Sequence, residues 1–232
     1  MANPIYNNLI ETSARGEKML AILVDPEKFD TQATVSFLHR IPRETSYIFV
    51  GGSTASNRQT EATVIALKQH TNLPVILFPG NHNQITHTAD ALLFLSLLSG
   101  RNAEFLVGQQ VRAVPRIRNT QLEIIPTGYI LIAGGAESAV ARVSQTEPLS
   151  QSAIQPIVDT ALAGQFMGAK LIYLEAGSGA AVPVSAGIIK AVRAAIHVPL
   201  IVGGGIINER QKKTAYGAGA DLIVMGTAFE NI

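Results

Sequence analysis

One phrase recurs along this chain and leaves it few ways to fold. A short apolar run ends in glycine, serine or an acid, a longer mixed segment follows, and the next apolar run begins. The runs lie at 19–25, 47–50, 75–78, 91–98, 127–132, 170–175, 200–202 and 222–225. None alternates polar with apolar residues, so each is read as a strand buried on both faces, the habit of parallel sheets. The segments between them carry helical spacing, as in Val64, Ile65 and Leu67 of 58–70, or Ile188, Ile189 and Val192 of 185–195. Residues 81–90 are weakly patterned and predict no regular helix, and 144–150 reads as a polar loop. Residues 4–16 predict a short amphipathic helix ahead of the first strand. Eight such strands in 232 residues favour a closed barrel over an open doubly wound sheet. The reading is an α/β chain forming a single (β/α)8 TIM-type barrel over 1–232, with an N-terminal helix and an irregular third crossover.

Composition narrows the function. Lys and Arg number 18 against 17 Asp and Glu, a net charge of +1, so charge gives no case for nucleic acid as a partner. There is no cysteine, which removes disulfides and thiolate metal sites and permits a reducing compartment. The start of the chain lacks the basic-then-apolar pattern of a secretory signal. The longest apolar runs are too short to span a bilayer, which leaves room for a peripheral membrane contact.

The chemistry gathers after the strands, at the end where barrel enzymes place their active sites. Along 170–175 the strand period of two puts Leu171, Tyr173 and Glu175 on one face and Ile172 and Leu174 on the other. A carboxylate closing an apolar strand is costly unless something there uses it. Gly177, Ser178 and Gly179 follow, with backbone that a ligand can approach closely. The loops after strands seven and eight carry Gly203, Gly204 and Gly205, and Gly226 with Thr227, where many barrels hold phosphate on free N–H groups. Asp25 shares a face with Ala21 and Leu23 and points into the mouth. It suits Mg²⁺ with Ser53 as a second oxygen, or else Asp25-Pro26 is a turn former and Ser53 or Thr54 a helix cap. Phe78, Phe94 and the leucines of 92–98 offer an apolar route out of the mouth, or plain core.

Taken together, Asp25-Pro26-Glu27-Lys28, Val50-Gly51-Gly52-Ser53, Tyr173 to Gly179, Gly203-Gly204-Gly205 and Gly226-Thr227 resemble the geranylgeranylglyceryl phosphate synthase family over nearly the whole chain. The resemblance implies a cytoplasmic, Mg²⁺-dependent prenyltransferase, a homo-oligomer, that joins sn-glycerol 1-phosphate to a polyprenyl diphosphate. It implies Asp25 and Ser53 near the metal and Glu175 as the base. It implies Tyr173, Leu174, Glu175, Ala176, Gly177, Ser178, Gly179, Gly203, Gly204, Gly226 and Thr227 around glycerol phosphate. The Ala-Gly-Ser-Gly form after Glu175 is similar to the branch that transfers geranylgeranyl. Another branch, with Tyr-Ser-Gly in that loop, includes heptaprenyl enzymes. The alternatives are a different phosphate-binding barrel enzyme and a non-catalytic phosphoprenyl-binding protein. A Schiff-base aldolase would need a lysine inside the barrel, and Lys170 stands at the wrong end of its strand. The last outer helix is expected to be very short, with the N-terminal helix covering part of the barrel.

Overall fold

Eight parallel strands hydrogen-bond in chain order and close on themselves in the computed structural model, which describes residues 3–230. They are β1 (Met19–Val24), β2 (Thr45–Val50), β3 (Val75–Leu77), β4 (Ala91–Leu97), β5 (Glu123–Leu131), β6 (Leu171–Glu175), β7 (Leu200–Gly203) and β8 (Leu222–Met225). Closure comes from β8 pairing with β1, from Met19 opposite Leu222 to Ile22 opposite Met225. Side-chain alternation then splits the core in two. Ala21, Phe49, Ile76, Leu93, Tyr129, Tyr173, Ile201 and Val224 fill the barrel. Ile22, Val50, Leu77, Leu92, Ile130, Leu174, Val202 and Ile223 face the helices. This is the closed α/β barrel that the apolar runs predict.

The helices are α1 (Pro4–Ala14), α2 (Thr34–Arg40), α3 (Asn57–His70), α4 (Gln109–Ile117), α5 (Ala139–Ser144), α6 (Ile154–Phe166), α7 (Ala186–Ala195) and α8 (Glu209–Gly217). Several start on side-chain caps: Ser56, Ser185 and Asn208 accept from Gln59, Ile188 and Gln211 N–H. No regular helix joins β3 to β4. That crossover is held by turns in which Gln84 Oε1 accepts from Gly80 N–H and Asn81 Oδ1 from Asn83 N–H, both at 2.8 Å.

Three elements differ from the sequence expectation. β5 starts four residues early and runs through Pro126. Thr127 is the first β5 residue paired with β6, so the missing N–H of Pro126 falls where the strand outruns its neighbour. The helix expected over 103–114 begins as a π-turn at Glu104–Gly108 and continues to Ile117 past Pro115. The carbonyl that Pro115 cannot engage belongs to Val111, which is exposed, so water can satisfy it. α5 had no periodicity long enough to be noticed.

The helix α1 closes the end of the barrel where the strands begin. Its Ile5 and Leu9 are buried among Met19, Tyr47, Leu171 and Leu222. Asn3 gives no side-chain cap. Glu123, at the start of β5, does that work across the chain, accepting from Ile5 and Tyr6 N–H at 2.9 and 2.8 Å. Tyr47 donates to Asn8 Oδ1 at 2.8 Å, and the Lys170 ammonium lies 4.8 Å over the Tyr6 ring. Lys170 is therefore a bottom-end residue, as its place at the start of its strand predicts. Glu123→Ala would strand one buried and one half-buried N–H group, and we expect a loss of about 1–3 kcal/mol. Urea unfolding measures it. Turnover of the folded fraction should stay near that of the parent, because the chemistry lies at the other end.

Candidate active site

Glu175 ends β6 and points into the mouth of the barrel. It is almost wholly buried. Burial raises its pKa to about 7, against the opposing pull of the Gly177 N–H and the Tyr173 hydroxyl. The Gly177 N–H donates to Oε1 at 2.7 Å. The Tyr173 hydroxyl lies against the carboxylate, yet satisfies no direct hydrogen-bond geometry and has no other partner among the described residues. Its own pKa is pushed well up, by burial first and then by Glu175. Phe78 stacks on Tyr173 at 5.2 Å and Tyr129 meets it edge-on at 5.3 Å. These rings form the floor on which the carboxylate stands.

The glycines beside Glu175 are explained by room for it. Gly203 lies opposite Glu175 in the sheet. A Cβ there would come 2.5 Å from the Tyr173 oxygen and 2.7 Å from Glu175 Oε2. Gly204 has φ +80°, and a Cβ on it would strike Glu175 Oε1. The same loop leaves Gly204 and Gly205 on the cavity, which Gly226 and Thr227, just past β8, also line. The glycine loop and the carboxylate are thus one construction.

Asp25 stands just past β1. Its Oδ1 accepts from Glu27 N–H at 3.0 Å, so it is a turn former as well as a cavity residue. Burial, Glu27 and Glu230 raise its pKa against the Glu27 N–H and Lys28. Lys28 lies 2.8 Å from Glu230 and 3.9 Å from Asp25. A Cβ on Gly52 would come 2.6 Å from Asp25 Oδ1, so the β2 loop also closes on a carboxylate. Ser53 lines the cavity and is not the cap of α3, which is Ser56. Among the described residues no three His, Cys, Asp or Glu side chains converge as a metal cage. Mg²⁺ does not need one, since it keeps waters and takes one or two carboxylates together with substrate phosphates. Asp25, its pKa raised by burial, and Ser53, on the same cavity, fit that description.

The cavity over these residues measures about 340 Å³. It continues between the third crossover and α4, past Phe78, Leu93, Phe94, Leu95 and Phe105, so the apolar route is a surface and not only core. The structure brings Asp25, Ser53, Tyr173, Glu175, Ser178, Gly179, Gly204, Gly226 and Thr227 to one space. The Leu174 and Ala176 side chains go the other way, into the layer under the helices, and can offer only backbone. Gly177 acts through its N–H on Glu175, and Gly203 by leaving room for it. The sequence reading missed Tyr129, Gln109, Gln110, Arg142 and Glu230, which all line the cavity. Only Glu230 had a signal, an acid close after the last strand.

Comparison with known proteins agrees with this geometry. The chain is 55% identical over 227 residues to the geranylgeranylglyceryl phosphate synthase of Zunongwangia profunda, covering 98% of this chain and 97% of that one. It is 50% identical over 228 residues to the enzyme of that name from Flavobacterium johnsoniae, covering 98% and 94%. The crystal structure of (S)-3-O-geranylgeranylglyceryl phosphate synthase from Thermoplasma acidophilum, in complex with substrate sn-glycerol-1-phosphate, superposes with a TM-score of 0.90. The identity is 31%, over 100% of this chain and 93% of that one. The PcrB family model matches residues 13–232, a span that contains every strand of the barrel and every residue of the mouth, and the chain belongs to the PcrB family.

Proposed function

We propose that this protein is a prenyltransferase that joins sn-glycerol 1-phosphate to geranylgeranyl diphosphate, giving geranylgeranylglyceryl phosphate and diphosphate for ether-lipid synthesis. The observation that carries the proposal is Glu175: a buried carboxylate with a pKa of about 7, set where a glycine cradle meets an apolar groove. The relatives named for this reaction, and a neighbour holding sn-glycerol-1-phosphate, support it.

The chemistry follows from the placement. The loops at Gly204–Gly205 and Gly226–Thr227 grip the phosphate through backbone N–H groups and orient the glycerol. Glu175 removes the proton of the attacking hydroxyl. That oxygen bonds to the allylic carbon as the bond from carbon to the diphosphate oxygen breaks, and diphosphate leaves. Phe78, Leu93 and Phe94 keep water from the allylic carbon and hold the chain. One mouth for both substrates makes the encounter effectively intramolecular. Asp25 and Ser53 would hold Mg²⁺, which supplies positive charge against the leaving diphosphate.

A cytoplasmic homo-oligomer is part of the same proposal, supported by the family resemblance. No helix among the described residues is long and apolar enough to cross a membrane, and the apolar product calls for a peripheral contact with one. An isomerase or aldolase of sugar phosphates would leave the apolar groove without purpose.

Four outcomes are expected. Incubation with Mg²⁺, labelled glycerol 1-phosphate and a ladder of prenyl diphosphates should give a lipid-soluble product, most rapidly with the geranylgeranyl chain. No product at any length would leave a binding protein, and a faster heptaprenyl reaction would move the enzyme to the other branch. Glu175→Gln keeps the size and cannot accept a proton, so turnover should fall roughly 10²–10⁴-fold. The glycerol phosphate dissociation constant should change far less. In the parent the base is active only when ionised, so turnover should be lost as pH falls through about 7, with that limb absent in Glu175→Gln. Asp25→Asn should cut turnover strongly and flatten its dependence on Mg²⁺, and an unchanged Mg²⁺ titration would remove Asp25 from the metal site.

A further inference from the structure

The wall of the groove has an outer face that the proposed reaction does not use. The π-turn and α4 present Phe105, Gln110 and Ala113 to the cavity. On the outside, Val107, Val111 and Val114 are 56%, 63% and 44% exposed. Their spacing of four and three residues puts them on one helical face. Arg112, Arg116 and Arg118 are exposed on the same segment. Residues 101–118 hold four arginines against one acid, Glu104, a local charge of +3 in a chain whose whole balance is +1. Arg112 pairs with Glu104 and Arg116 reaches Asn83 at 3.2 Å. Arg101 and Arg118 form no ion pair among the described residues.

We propose that this face is a docking surface for an anionic lipid bilayer, with the valines entering the headgroup boundary and the arginines meeting lipid phosphates. The inference rests on the prenyl-transfer reading, in which both the prenyl donor and the product belong in a membrane. An apolar stripe rimmed by arginine is the pattern of a helix that lies on an interface, and the basic residues give it a sign preference. A second copy of the chain fits less well. A two-fold interface places the same patch against itself, which would set +3 against +3. Nucleic acid would use the arginines and leave three valines in water. Only one helix, about 10 Å across, separates the groove from this face, so a docked enzyme holds its groove beside the bilayer.

Co-sedimentation of the full chain with phosphatidylcholine vesicles, with and without phosphatidylglycerol, tests the proposal. Binding should appear with phosphatidylglycerol and weaken with salt. Arg116→Gln and Arg118→Gln should each weaken it about fivefold, and Val111→Asp by roughly tenfold or more. These side chains line no part of the cavity, so turnover with a soluble short-chain prenyl diphosphate should be unchanged in all three. That assay reads the reaction separately: no turnover in the parent with a prenyl diphosphate of any length would sink the prenyl-transfer reading, whatever the vesicles show. Equal sedimentation with both vesicle types, or binding indifferent to Val111→Asp, would overturn the docking surface. So would a dimer that Val111→Asp dissociates, or a soluble polyanion held as tightly as the vesicles.

Discussion

The constraint on which the mouth of this barrel depends is the desolvation of one carboxylate. Glu175 is shut away from water with a single backbone N–H on it and a tyrosine hydroxyl beside it. The carboxylates at the other end are treated differently. Asp221 accepts from Leu200 N–H and from Arg193. Asp90 accepts from Val75 N–H and pairs with Lys68. Glu123 takes two N–H groups of α1. Each of those acids meets two donors. Glu175 has fewer: its folded pKa lies above the ordinary value, so it costs stability as pH rises from about 4.5 and in full above about 7. A carboxylate held at that cost on the wall of a cavity is a candidate for chemistry.

The remaining features of the mouth follow from making room for that group and for what it acts on. Glycine at 203 and 204 clears the carboxylate, and at 204 it leaves bare backbone on the cavity. Glycine at 52 lets the β2 loop close over Asp25. The missing third helix matters equally. Without it the cavity is not confined to the barrel axis and extends past Phe78 and Phe94 toward α4. An anion site at the axis and an apolar route leaving sideways are what a phosphate-bearing alcohol and a long-chain diphosphate would need.

Much of this was legible in the sequence, for physical reasons that differ by element. Strands buried on both faces announce themselves as apolar runs, so their number could be read directly, and that number with the chain length favoured the closed sheet over an open one. Glu175 was legible because a carboxylate at the end of such a run is anomalous, and the absent third helix because 81–90 lacks periodicity. What depends on closure was not. Tyr129 meets Tyr173 only because β5 and β6 are neighbours in register. Arg142 and Gln110 reach the cavity from helices whose placement no local pattern fixes. The stretch from Tyr173 to Gly179 was carried over whole by resemblance, whereas the strand period sends Leu174 under the helices.

The central claim is that burial holds Glu175 as a base poised near neutrality, and its ionisation can be watched directly. Infrared difference spectra of the parent minus Glu175→Gln, taken across pH, isolate this one carboxyl. The account predicts that a protonated carboxyl band gives way to a carboxylate band with a midpoint near 7. A midpoint at the ordinary glutamate value of about 4.5 would contradict it, and Glu175 would then be a solvated anion and not the base.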